Sequence, residues 1–184
     1  KVKEAAKQYR TRNVFFTMWG DDTAECSKFA VLPSMFFAAE YAKGERNMKN
    51  IKAKFKKKFG ISFDGFMSLD LGAGDTLSNP SKYILYNDLF SGKMDSRIRK
   101  TAKEEFAALS RKLSRYSKSE EWGYLFKNLS ALCKVASIKA DISFRLRPAY
   151  AADDKEELKA IIKDTKLLLR RMKEFYSAFE AQWM

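Results

Sequence analysis

Three carboxylates, Asp21, Asp22 and Glu25, fall within five residues of the stretch VFFTMWGDDTAEC, residues 14–26, and an indole, Trp19, stands just ahead of them. Two chemistries compete for this spacing. On a helix, Asp21 and Glu25 would lie four apart on one face, and the DDxxE pattern would offer oxygen ligands to Mg²⁺. On an extended chain, residues two apart share a face, so Trp19 and Asp21 point the same way if the strand continues through Gly20. An indole supplies a flat apolar wall and one N–H donor, and a carboxylate accepts hydrogen bonds from hydroxyls through two oxygens. That pair suits a sugar ring, whose C–H face wants apolar contact and whose rim wants acceptors. Val14–Trp19 is β-rich and apolar on both parities, Gly20 ends it, and no second acidic motif follows downstream. The strand-and-turn reading is therefore preferred to the metal one. Beside it stands a plainer alternative, a strand-end turn with a helix-capping acid.

Absences narrow the chemistry further. The chain has no histidine, which removes Ser-His-Asp and Cys-His nucleophilic sites and the usual His-bearing zinc sites. Its two cysteines, Cys26 and Cys133, are far apart and in no CxxC spacing, so reduced thiols and a cytoplasmic setting are expected, with Cys133 in the core. No apolar run approaches the ~20 residues of a membrane-spanning helix. No catalytic residue and no metal ligand is assigned.

The formal charge is +13 on 184 residues. Its densest source is MKNIKAKFKKKFG, residues 48–60, where Ile51, Phe55 and Phe59 recur every four positions. That is one apolar helical stripe with lysines on the remaining faces. Such a helix either shows a solvated surface or offers phosphates an electrostatic footprint. No RNP-like strand, GxxG loop or helix-turn-helix punctuation accompanies it, so nucleic acid is not an expected partner.

The elements that must hold the candidate pair are mostly helical. Residues 1–9 pattern as the end of a helix, and residues 28–43 as another, with Pro33 in its first turn and Gly44 closing it. The lysine-rich helix follows and ends at Gly60. SFDGFMSLDL reads as a short helix capped by Ser62 or Asp64, and residues 72–80 as a loop. KYILYNDLF is a short apolar element whose type the pattern leaves open, broken at Ser91-Gly92. From about Asp95 to Tyr116, Ile98, Ala102, Phe106, Leu109, Leu113 and Tyr116 recur at steps of three and four; residues 120–150 do the same through Trp122, Leu125, Leu129, Leu132 and Ala136. Pro148 is expected to kink or end that second helix near Arg147. From Asp153 onward Leu158, Ile161, Thr165, Leu168, Met172, Phe175 and Phe179 hold a seven-residue repeat, and Ile162, Leu169, Tyr176 and Trp183 add a third row. The aromatics of these stripes are expected in the core. Asp141 and Arg145, four apart, are expected to form an ion pair at or near the surface. Three long helices on short connections must pack antiparallel as a bundle.

The stretches TMWGDDTAECSKFAVLPSMFFAAEYAKG, FGISFDGFMSLD and NPSKYILYNDLFSGKMD, with the closing FEAQW, together resemble the carboxy-terminal part of bacterial β-N-acetylhexosaminidases of glycoside hydrolase family 20. The resemblance is closest to the subgroup with an all-helical C-terminal domain and runs from about Arg12 to the end. It implies that a (β/α)8 barrel binds a terminal N-acetylhexosamine, with a Trp-Gly-acid element ending its last strand. Carried over, Trp19 walls the sugar pocket and Asp21 binds hydroxyls at positions 4 and 6. It also implies a catalytic Asp-Glu pair on an earlier strand, the Glu as general acid and the Asp orienting the substrate's acetamido group as nucleophile. No cofactor is implied. No Asp-Glu pair precedes Trp19; the only acid there is Glu4. One departure stands at Thr23, where that family carries a small residue, usually glycine.

On this basis the expected architecture is mainly α. Residues 1–26 form the last helix and strand of a truncated barrel, 27–94 short helices and loops, and 95–184 a three-helix bundle. Both ends look cut from something longer. The expected partner is an amino-sugar glycan held by the missing barrel, and a homodimer is a further expected assembly. A strand without neighbours leaves its N–H and C=O groups unpaired, so residues 1–25 are expected to be poorly supported or packed on another copy. The competing class is a basic helical scaffold for nucleic acid or a partner protein, which salt-dependent binding would expose.

Overall fold

The computed structural model describes residues 2–11, 13–17, 27–71 and 80–183. Helix α1 (Val2–Gln8) opens the chain, and a 3₁₀ turn at Lys28–Val31 leads into α2 (Leu32–Ala42) with Pro33 in its first turn. Gly44, at φ +104°, turns the chain out of α2. Helix α3 (Met48–Phe59) is the lysine-rich segment. The Asn47 side chain caps it by accepting from the Lys49 amide at 2.9 Å, and left-handed Gly60 ends it. Ser62 then caps α4 (Phe63–Met67), accepting from the Gly65 amide at 3.0 Å.

These short helices converge on a cluster of phenylalanines. Phe55 lies 5.4 Å from Phe36, 5.3 Å from Phe63 and 5.6 Å from Phe66, ring centre to ring centre, and each contact is edge-on. Phe66 reaches on to Trp122 at 5.4 Å and Phe126 at 5.7 Å, joining this layer to the long helices. Edge-on pairing suits the ring quadrupole and adds to what burial contributes.

Pro80 opens α5 (Pro80–Leu85), the apolar element whose type the pattern left open. The long helices are α6 (Ala102–Ser114), α7 (Gly123–Ala151) and α8 (Lys155–Trp183). Their register is antiparallel. Ser110 meets Ser130, and Ser137 meets the Lys103 carbonyl, so positions rise on α6 as they fall on α7. Asn128 meets Gln182 while Arg145 meets Asp164, the same relation between α7 and α8. Helix α7 is central: α6 packs along it, α8 packs along it, and α6 and α8 touch each other little.

That arrangement corrects part of the core expectation. Ile161, Leu168 and Ala178 of α8 are buried, but the row Ile162, Leu169, Tyr176 and Trp183 is exposed. A helix docked on one neighbour buries one stripe. The third row would need a second neighbour.

Two boundaries also move. The segment from Asp95 does not begin a helix directly; Asp95–Arg97 is a 3₁₀ turn, Ile98 is extended, and α6 starts at Ala102. The cause is polar. Asn87, nearly fully buried, donates to Asp95 Oδ1 at 2.9 Å and accepts from the Met94 amide at 3.1 Å. Arg147 pairs with the other Asp95 oxygen and donates to the Leu89 carbonyl at 2.7 Å. The loop is thus pinned to α7 before α6 can begin. Gly92, at φ +59°, lets the guanidinium of Arg147 pass where a Cβ would stand 2.5 Å from its central carbon.

Helix α7, for its part, runs through Pro148 to Ala151. Proline removes one donor and crowds the preceding turn, but it sits in the last turn, and its own carbonyl accepts from the Ala152 amide at 3.0 Å. Beyond it the Asp153 amide bonds the Tyr150 carbonyl and the Asp154 amide the Ala149 carbonyl, a Schellman closure with Asp153 at φ +50°. Glycine adopts that conformation without a Cβ penalty. Asp153→Gly is therefore expected to stabilise the chain by up to about 1 kcal/mol, read as a raised midpoint in urea unfolding. A lowered midpoint would show that the carboxylate itself holds the turn.

The Asp141–Arg145 pair is present at 2.6 Å and belongs to a larger network. Arg145 also binds Glu157 at 2.6 Å and Asp164 at 2.8 Å on α8, and Asp141 meets Lys103 of α6 at 3.0 Å. Burial disfavours the Asp141 charge, but hydrogen bonds from Arg145 and Lys103 outweigh it and hold the carboxyl below its ordinary range. A carboxyl depressed in the folded state stabilises above its unfolded pKa of about 3.9 and loses that stabilisation as pH falls through its folded value. Arg145→Met, which leaves three carboxylates facing one another, is expected to cost about 2 kcal/mol at pH 7. The gap to the parent chain should narrow below about pH 4 as the carboxyls protonate, which denaturant titrations across that range would measure.

Candidate functional site

Trp19 and Asp21 lie outside the described residues, as do Asp22 and Glu25 of the DDxxE pattern. The chain just before them is described. Residues 13–17 belong to neither helix nor strand, and Phe15 is 87 % exposed with Val14 and Phe16 also at the surface. The strand expected at residues 14–19 is thus not formed over its described part, and no strand occurs among the described residues. Strand geometry is favoured by a ladder of backbone hydrogen bonds to a neighbouring strand, and among the described residues no such strand stands beside it.

Beside this segment runs a cleft of about 750 Å³. Val14 and Phe16 form one rim and Ala6 of α1 another; Phe37 and Tyr41 of α2 and Met67 of α4 line the floor. Among the described residues nothing ionised lines it. That lining is methyl, phenyl and thioether surface with one phenol and one hydroxyl. Its chemistry is burial: it takes an apolar surface or leaves one exposed. Helix α1 is tied to α2 across it by the Tyr41 hydroxyl donating to Glu4 at 3.2 Å.

A second hollow, about 450 Å³, lies between α6 and α7, with Lys100, Lys103, Glu104, Asp141 and Phe144 around it. Its central cation and anion, Lys103 and Asp141, already neutralise each other. Among the described residues no group of three or more His, Cys, Asp or Glu is placed to hold a metal ion, and no helix is long and apolar enough to cross a membrane. Cys133 is fully buried, and burial pushes its thiol up to about 12, so it is inert as a nucleophile.

The basic helix α3 turns out to be partly self-neutralised. Lys52 meets Asp64 at 2.7 Å, and Lys54 meets Glu40 at 2.8 Å and Glu45 at 3.3 Å. The Glu40 carboxyl, also bound by Lys43 at 2.9 Å, is held below its ordinary range by Lys54 first and Lys43 second.

The described helices α5 to α8, with the Asn87-pinned loop between them, coincide with a known unit. A family model, the Glycoside Hydrolase 20C C-terminal domain, matches residues 67–184. The chain belongs to this family. No curated protein matches it. The matched span takes in LYND and the closing FEAQW, and it leaves out residues 1–66. As a glycoside hydrolase 20C C-terminal domain, the all-helical bundle is the expected architecture. In it LYND has a structural part, since Asn87 locks the loop to Asp95 and, at 3.4 Å, to Ser143 of α7. The sequence signal for that lock was a lone amide inside an otherwise apolar run. The reach of Arg145 from α7 to Glu157 and Asp164 of α8 left no such local trace.

Proposed function

We propose that this chain is the carboxy-terminal part of a glycoside hydrolase family 20 β-N-acetylhexosaminidase. The whole enzyme would remove terminal, non-reducing β-linked N-acetylhexosamines by a retaining, substrate-assisted route. In that reading residues 1–26 end the catalytic barrel, 27–94 join it to the bundle, and 95–184 are the bundle. The family match over residues 67–184 carries the proposal. Two features support it: the WGDD element just upstream, and the apolar cleft lying where barrel and helical domain would meet.

The roles then divide simply. Trp19 stacks on the C–H face of the sugar, and Asp21 accepts from its 4- and 6-hydroxyls. Together they fix the ring so that its own acetamido oxygen can attack the anomeric carbon as the leaving oxygen is protonated. The acid that protonates it and the Asp that orients the acetamide come from the barrel upstream. This chain acts by walling one side of the pocket and by giving the barrel an apolar bed. The competing scaffold for nucleic acid is weakened by α3, whose Lys52 and Lys54 are spent on internal ion pairs.

A chromogenic β-N-acetylglucosaminide distinguishes the readings. The whole enzyme should release the chromophore, and the 184-residue chain alone should not. Turnover by the 184-residue chain, or none by the whole protein on either the glucosaminide or the galactosaminide, would overturn the proposal.

A further inference from the structure

Helix α8 carries an apolar face that none of the described residues covers. Ile162, Leu169, Tyr176 and Trp183 recur every seven residues, and with Met172 beside them each is half exposed or nearly so. From Ile162 to Trp183 the row is about 32 Å long at 1.5 Å per residue. The helix has its full packing partner in α7 on the adjacent stripe, through Ile161 and Leu168, and makes no comparable contact with α2, α3 or α4. The face is therefore separate from the cleft beside Val14 and Phe16.

We propose that a second copy of this chain occupies the face, its α8 packed antiparallel on the first about a two-fold axis. Two-fold interfaces require a surface complementary to itself, and this one is. When Leu169 is set beside Tyr176 of the second copy, Ile162 falls beside Trp183, so each aliphatic side chain meets an aromatic one. In the same register Lys166 falls beside Glu180, opposite charges on the rim, and symmetry makes each contact twice. Lys173 faces itself near the axis, at an edge where its long stem can carry the ammonium to water. A seven-residue spacing is what two helices need to keep one seam in contact over several turns. The pairing does not depend on the glycosidase reading.

Sedimentation equilibrium of the 184-residue chain tests it. The expected mass is twice the 21.2 kDa of one chain. Leu169→Glu should return it to a single chain at the same loading, with helical circular dichroism unchanged because the side chain is more than half exposed, and with a melting midpoint that no longer rises with protein concentration. Lys166→Glu should weaken association at least tenfold, and the added change Glu180→Lys should restore it. A single-chain mass for the unaltered protein at tens of micromolar would overturn the proposal. So would a dimer that survives Leu169→Glu, or one abolished instead by Phe37→Ser in the α2 cleft.

Discussion

Phe66→Ala is expected to destabilise the chain by about 3–5 kcal/mol, the range for emptying a fully buried phenylalanine site. Phe66 has no exposed surface, and its ring touches Phe55 on one side and Trp122 and Phe126 on the other. Removing it opens a hole at the seam between the short-helix layer and α7, so both lose packing at once. Against a total stability of about 5–15 kcal/mol, that is a large share. Urea unfolding followed by circular dichroism would read it as a markedly lower midpoint in one transition. Phe90→Ala is the control: that ring is mostly exposed and should move the midpoint by less than about 0.5 kcal/mol. If Phe66→Ala instead gives two transitions, the layer formed by residues 27–71 folds apart from the bundle. If it costs under about 1 kcal/mol, the aromatic seam is not what joins them.

The second large effect is catalytic and is read in the whole enzyme. Asp21→Asn keeps the shape of the side chain but removes the charge that strengthens its hydrogen bonds to sugar hydroxyls. Hydrogen bonds to a charged group contribute about 1.5–3 kcal/mol, so kcat/KM should fall roughly 10- to 150-fold. Both parameters should move, KM up and kcat down, because the contact both binds the ring and orients it for attack. Steady-state kinetics on a β-N-acetylglucosaminide gives the split. An unchanged kcat/KM would remove Asp21 from the pocket. Trp19→Ala should act in the same direction, through lost stacking on the sugar's apolar face.

Much of this protein is legible in its sequence because helix signals are local. The four-residue spacing of Ile51, Phe55 and Phe59, the Asn47 and Ser62 caps and the glycines at 44 and 60 specify their helices within a few turns. The bundle follows from three long periodic segments and two short connections, which leave adjacent helices only an antiparallel way to pack. The early motif is legible as well, since Trp19, Gly20 and Asp21 stand within three residues and the family match begins downstream of them.

What tertiary structure alone decided is which stripe meets a neighbour. Periodicity gives α8 a broad apolar face and is silent on how many helices flank it; with α7 as its one close partner among the described residues, Ile161 and Leu168 go inside and Leu169 and Tyr176 stay out. The same holds for polar groups far apart in the chain. Arg145 finding Glu157 and Asp164, or Arg147 and Asn87 converging on Asp95 and delaying α6 to Ala102, depends on distances that exist only once α7 is in place. Val14–Thr17 makes the complementary point: β-rich composition is a preference for a half-built sheet, and among the described residues no neighbouring strand is there to form the ladder that preference needs.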